Sequence, residues 1–130
     1  MEREIKIIIA GRIDSAKLMV TDYIISFEYQ DIILKEQIGN FPVFSVLKKI
    51  RQELEKSNIL LLINASRIDV WPSGMSSMGN GAYIHRLGES SLTKDLVGIY
   101  EDAADTTLIG TIEQQSAFII QYRDSLLNKP

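Results

Sequence analysis

The segment from Trp71 to Gly88 restricts the fold more than any other stretch, because it holds the single tryptophan, the single histidine and four of the eight glycines. Gly74, Gly79 and Gly81 fall within eight residues of one another. Such a density allows positive φ or close approach of another group, since glycine carries no Cβ. The residues on either side read as strands. The segment is therefore expected to be a shaped loop between two strands, and its side chains must decide whether it is an active site, a binding surface or a structural turn.

The isoleucine-rich run Glu4 to Ile13 is expected as a strand, since branching at Cβ restricts χ1 and favours extended backbone. A turn around Asp14 and Ser15 follows. Leu18 to Tyr29 reads as a second strand, with Ile25, Phe27 and Tyr29 opposing Ser26, Glu28 and Gln30. Ile32 to Leu34 reads as a short third strand after a bend at Gln30-Asp31. Gly39-Asn40-Phe41-Pro42 breaks the pattern, and proline suits a first helical turn. The helix that follows carries an apolar stripe of Val43, Val46, Leu47, Ile50 and Leu54, with charged residues elsewhere, and ends near Ser57-Asn58.

Ile59 to Ile63 is a short apolar run of the kind found in central buried strands. Asn64-Ala65-Ser66 turns the chain, Arg67 to Trp71 alternates as a strand, and Pro72 closes it because proline has no N–H to give to a ladder. Ala82 to Leu87 resumes as a strand, and Leu96 to Tyr100 reads as a short edge strand within an acidic loop. Thr111-Ile112-Glu113-Gln114 matches a capping box and opens a terminal helix with Phe118, Ile119, Tyr122 and Leu126 as its apolar stripe. Two runs of strands, one helix between them and one at the end, predict a single α+β domain over residues 1–130. Its expected form is a mainly antiparallel sheet of about five to six strands with two helices packed on one face.

Composition narrows the function. The 130 residues suffice for one core without staples, and no apolar run approaches the roughly 20 residues that span a bilayer. The opening Met1-Glu2-Arg3-Glu4 lacks the charge and apolar h-region of a signal peptide, so a cytoplasmic location is expected. There is no cysteine and one histidine, which excludes thiolate nucleophiles and any zinc site needing several Cys or His ligands from this chain. No metal and no cofactor is expected.

The net charge of −3 disfavours direct nucleic-acid binding, which relies on clustered Lys and Arg. The charge is unevenly placed. From Phe41 to Val70 five basic residues face three acidic ones, a balance of +2, whereas from Glu89 to Glu113 six acidic residues face Lys94 alone, a balance of −5. An acidic face of this kind steers a basic partner; a solvated loop is the alternative.

The glycine-rich segment lacks the chemistry its spacing suggests. A phosphate-binding loop needs Lys and then Ser or Thr after the second glycine, and Asn80 and Gly81 stand there. A dinucleotide fingerprint needs a third glycine where Ile84 stands, and Ser73-Gly74 lacks the preceding glycine of a nucleophile elbow, because position 71 is Trp. His85 with Asp69 or Ser73 is a weak candidate base. Trp71, Pro72, Gly74, Met75, Met78, Gly79 and Gly81 are best read as a structural loop that plugs one end of the core, with a protein-contact patch as the functional alternative.

From Leu61 to Tyr83 the wording Leu-Leu-Ile-Asn-Ala-Ser-Arg-Ile-Asp-Val-Trp-Pro-Ser-Gly-Met, then Met78-Gly79-x-Gly81-Ala82-Tyr83, resembles a group of small bacterial proteins. Among them are immunity proteins of contact-dependent growth inhibition and related polymorphic toxin systems. The likeness covers residues 41 to 100; Ser77, where an acidic residue is expected, and the abrupt Gly81-Ala82 depart from it. The resemblance implies a cytoplasmic protein, not an enzyme, that binds a cognate toxin domain, often a basic nuclease, without contacting nucleic acid or membrane itself. The acidic block supplies the expected toxin-binding residues, Glu101, Asp102 and Asp105, with Asp95 and Glu89. The competing expectation is a small enzyme or ligand-binding module in which loop 71–88 holds an anionic small molecule near Arg67, His85 and Arg86.

Overall fold

The computed structural model describes residues 1–72 and 79–127, except for the Thr93 side chain. Its order is β1 (Glu2–Ile9), β2 (Arg12–Val20), β3 (Ile24–Tyr29), β4 (Ile32–Gln37), α1 (Val43–Glu55), β5 (Ile59–Leu61), β6 (Val70–Trp71), β7 (Gly81–Ile84), β8 (Leu96–Gly98) and α2 (Ile112–Leu127). The fold is α+β. Its strands divide between two antiparallel sheets, one of five strands in the order β4-β3-β2-β1-β5 and one of three in the order β6-β7-β8.

The first hairpin turns at Ala10-Gly11, where φ is 49° and 77°, and not at Asp14-Ser15 as the sequence suggests. Two central residues with positive φ match the twist of the flanking strands, so the chain reverses there in two residues and Asp14-Ser15 stays within β2. The Leu18 to Tyr29 run is likewise two strands. Thr21 Oγ1 accepts hydrogen bonds from the Tyr23 and Ile24 amides at 3.2 and 3.1 Å and organises the turn between β2 and β3.

Alternation then fixes which face is covered. Ile5, Ile7, Leu18, Ile25 and Phe27 are buried on one side, and a fully buried side chain of this size contributes about 1.5–3 kcal/mol. Lys17 on the other side lies 3.0 Å from Glu2 and 3.6 Å from Glu28 across the strands. Helix α1 packs Val43, Val46, Leu47, Ile50 and Leu54 into the core as its stripe predicts, and adds Phe44 and Arg51. Val70, Ala82, Ile99 and Tyr100 join the same core, so the second sheet closes over what α1 leaves open.

Strand β5 corrects a second expectation. It is the edge of the five-stranded sheet, not a central strand. Its burial comes from above and beyond the edge, where two stretches pair antiparallel in separate registers, residues 99–103 along 62–65 and residues 108–110 along 66–68. Asn64 N donates to Glu101 O at 2.9 Å, Ala65 N to Ile99 O at 3.0 Å, Ala103 N to Leu62 O at 3.0 Å, Ile68 N to Leu108 O at 2.8 Å and Gly110 N to Ser66 O at 3.0 Å. Isolated bridges pair Ile63 with Asp102 and Arg67 with Ile109. The acidic loop of the sequence is thus a strap tied to the sheet edge.

Helix α2 opens with the capping box its sequence announces. Gln114 N donates to Thr111 Oγ1 at 3.2 Å and Thr111 N to Gln114 Oε1 at 2.8 Å. Ile119 and Tyr122 are buried and Phe118 and Leu126 half-buried, but the most enclosed residue of the helix is polar: Gln115 is fully buried.

Candidate functional site

The acidic strap starts where β8 ends. Ile99 and Tyr100 point into the core, Arg3 Nη1 donates to Tyr100 O at 3.0 Å, and Asn64 Nδ2 donates to Gly98 O at 3.0 Å. After this buried pair Glu101 and Asp102 are exposed, and Ala103 is buried again. Asp105 caps the short turn over Thr106–Leu108 by accepting from Thr107 N at 3.0 Å and from the Thr107 hydroxyl, and those bonds hold its carboxyl below the usual carboxylate range. Among the described residues none of these three carboxylates forms an ion pair.

The remaining acidic candidates are placed differently. Glu89 is exposed on a separate turn, where its carbonyl accepts from Tyr122 Oη at 2.9 Å. Asp95 is only 4% exposed and faces inward, accepting from Arg86 Nη1 at 2.6 Å and from Leu92 N at 2.9 Å. The structure therefore brings Glu101, Asp102 and Asp105 together on one strap, sets Glu89 against α2, and removes the Asp95 carboxylate from the surface.

Loop 71–88 is anchored at both ends. Trp71 packs edge-to-face on Phe44 with ring centroids 5.6 Å apart, and Lys48 Nζ stands 5.4 Å from its ring centroid. Pro72 is half-buried beside it, and Gly79 is exposed. A Cβ on Gly81 would lie 3.1 Å from Leu96 Cδ1, a tight contact to which the Leu96 side chain must yield. Gly74, Met75 and Met78 lie outside the described residues.

The three side chains expected near an anion are all engaged elsewhere. Arg67 binds Asp69 through Nε at 2.9 Å and Nη2 at 2.8 Å, and both side chains are nearly covered. Arg86 is held by Asp95. His85 Nε2 lies 3.1 Å from Trp71 O, and because a carbonyl only accepts, this nitrogen carries the proton. In the neutral ring Nδ1 then accepts from Ser91 Oγ at 2.7 Å, while the ring packs on Tyr122 at a centroid distance of 4.6 Å. Among the described residues no group of three or more His, Asp or Glu side chains converges as a metal site.

Two features escape sequence reasoning. Arg51 of α1 is 3% exposed, donates from Nη1 to Ala65 O at 2.9 Å and to Gln115 Oε1 at 2.8 Å, and leaves Nη2 without a partner among the described residues. Burial lowers its guanidinium to about 10, which still leaves it charged at neutral pH. Gln115 Nε2 in turn donates to the carbonyls of Ala65, Arg67 and Val70 at 2.9, 2.8 and 3.0 Å. A polar residue in an apolar stripe was the one available signal. The second feature is a pair of exposed aromatic residues, Tyr23, which the sequence places within a strand, and Phe41, which it places in the break before α1.

A comparison with protein-family models and one with curated proteins find no match to this chain. No helix among the described residues is long and apolar enough to cross a membrane.

Proposed function

We propose that the chain is a cytoplasmic immunity protein that binds and neutralises a cognate toxin domain by direct contact, with no catalysis of its own. The toxin so bound carries a basic surface, as a nuclease does. The observation that supports this reading most is the strap: three exposed carboxylates without ion-pair partners among the described residues, Glu101 and Asp102 on backbone paired with 62–65 and Asp105 on the short turn it caps. Fixed, unneutralised charge steers an oppositely charged partner and fixes its orientation.

The experiment is coexpression with the toxin domain encoded next to this gene, followed by copurification and titration at several salt concentrations. Reversal of all three charges to lysine is expected to weaken the complex by about thirtyfold, ~2 kcal/mol, and to flatten its salt dependence. Unchanged affinity removes the strap from the interface, and failure to copurify removes the reading.

One observation favours an enzyme as the second reading. Ser91 Oγ, His85 Nδ1 and the Trp71 carbonyl behind Nε2 form a hydroxyl, base and orienting acceptor in line. A fluorophosphonate probe that labels Ser91, and no longer labels after His85→Gln, supports it; an unlabelled wild-type chain eliminates it.

A further inference from the structure

Strand β4 is an end strand of the five-stranded sheet and pairs only with β3 among the described residues. Tyr29 and Ile32 face each other across the two-residue turn Gln30-Asp31, so the backbone groups of Ile32, Leu34 and Glu36 point to β3. Ile38 keeps the same phase, since its N–H donates to Tyr23 O at 2.8 Å. The N–H and C=O groups of Ile33 and Lys35 therefore point away from the sheet, and among the described residues no other backbone meets them. An open row of donors and acceptors is a template for one more strand. Ile33, on the face turned from the core, is 58% exposed.

The side chains along this edge select the occupant. Asp31 and Lys35 stand two residues to either side of Ile33, are exposed, and form no ion pair among the described residues. A lysine on an edge strand ordinarily opposes pairing with another chain. A second copy of the same edge removes that obstacle. Two β4 strands related by a twofold axis through Ile33 run antiparallel, and Asp31 of each copy then stands opposite Lys35 of the other. Ile33 meets Ile33 on the outer face, and Ile32 meets Leu34 on the core face, where both are half-buried in the single chain. Moving the axis to Leu34 sets Ile33 against Lys35 and Ile32 against Glu36, and moving it to Lys35 sets two ammonium groups against each other. The register centred on Ile33 is the one that satisfies both charges.

We infer that the chain forms a twofold dimer by antiparallel pairing of β4 with β4 of a second copy, centred on Ile33 and flanked by two Asp31–Lys35 ion pairs. The pairing goes beyond the toxin contact and does not depend on it. It joins two five-stranded sheets edge to edge, and because β5 is the opposite edge of each, the acidic straps stay at the two far ends of the joined sheet.

The test is sedimentation velocity of the whole chain over a range of protein concentrations. Wild type is expected to show a concentration-dependent dimer with a Kd of about 10–100 μM, as a short edge contact gives. Asp31→Lys and Lys35→Asp each turn both ion pairs into like-charge pairs, and each is expected to weaken self-association about thirtyfold. An equimolar mixture of the two variants is expected to restore the dimer, since positions 31 and 35 are then basic in one copy and acidic in the other; a misfolded variant would not be rescued in this way. Ile33→Pro removes an outward N–H and none that β3 uses, and is expected to abolish the dimer with the β3–β4 pairing kept. A wild-type chain that remains monomeric, a dimer indifferent to both charge variants, or a mixture that stays monomeric overturns the inference. Protection of the Ile33 and Lys35 amides from hydrogen exchange only in a toxin complex gives the edge to a strand of that partner and overturns it as well.

Discussion

Gln115 Oε1 accepts a 2.8 Å hydrogen bond from Arg51 Nη1, so the two helices are joined through a polar contact in a fully enclosed site. Gln115→Leu leaves three carbonyl acceptors without this donor and one more guanidinium N–H unpaired. Loss of about 3 kcal/mol of unfolding free energy is expected in urea titrations. Combined with Arg51→Met, the double variant is expected to lose less than the sum of the two single losses, because removing both partners leaves fewer groups unsatisfied.

Gly110 sits between the strap and the capping box of α2. A Cβ there would lie 2.5 Å from both Gln114 Oε1 and Ile68 Cγ2. Gly110→Ala is therefore expected to cost about 2 kcal/mol by forcing apart the cap and the neighbouring chain. Gly11→Ala meets no atom within 4 Å but imposes a φ of 77° on alanine, and is expected to cost about 1 kcal/mol. Melting curves of the two variants decide the order.

The hydrogen bond from Arg86, and then that from the Leu92 amide, hold the Asp95 carboxyl below its ordinary 3.8. A carboxyl with a lower pKa folded than unfolded stabilises the fold above the unfolded value, and that contribution disappears as pH falls through the folded one. Asp95→Asn is expected to lower the melting midpoint at neutral pH and to converge on wild type as pH falls through the lowered folded value, flattening the acid limb. Equal displacement of the two curves at every pH would contradict this.

Burial raises the Tyr100 hydroxyl to about 12. The unfolded chain ionises this tyrosine near pH 10, so its contribution is complete below about pH 10 and is lost as pH rises toward the folded value. Tyr100→Phe is expected to leave stability at neutral pH unchanged or raised by about 1 kcal/mol, since the hydroxyl has no partner among the described residues, and to remove the alkaline loss. Urea midpoints at neutral and alkaline pH measure both.

How far these features are visible in the chain depends on whether they are local. The α1 stripe and the Thr111–Gln114 cap are legible because each is a spacing within one helix. The Ala10-Gly11 turn is not, because it lacks the Asn-Gly or Asp-Gly wording of a two-residue hairpin, while Asp14-Ser15 looks like a turn and is extended. The run Ile59 to Ile63 is apolar because a helix and a distant strap cover it, and composition does not distinguish that cover from flanking strands. At the candidate site the acidic block is plain in the sequence. That Asp95 turns inward to Arg86 while Glu101 and Asp102 face outward follows from contacts made only when the chain has folded.

The backbone bonds that pair residues 99–103 with 62–65 and residues 108–110 with 66–68 bear on how the strap would meet the proposed partner. A free acidic loop would have to give up conformational entropy for every residue it ordered on binding, about 1–2 kcal/mol each. Here folding has already met that cost for the paired residues, so an encounter with the proposed basic partner would begin from an ordered strap. Under the proposed function, association through these carboxylates would then be the docking of two preformed, oppositely charged surfaces, limited by diffusion and ionic strength and not by a search of the loop for its bound shape.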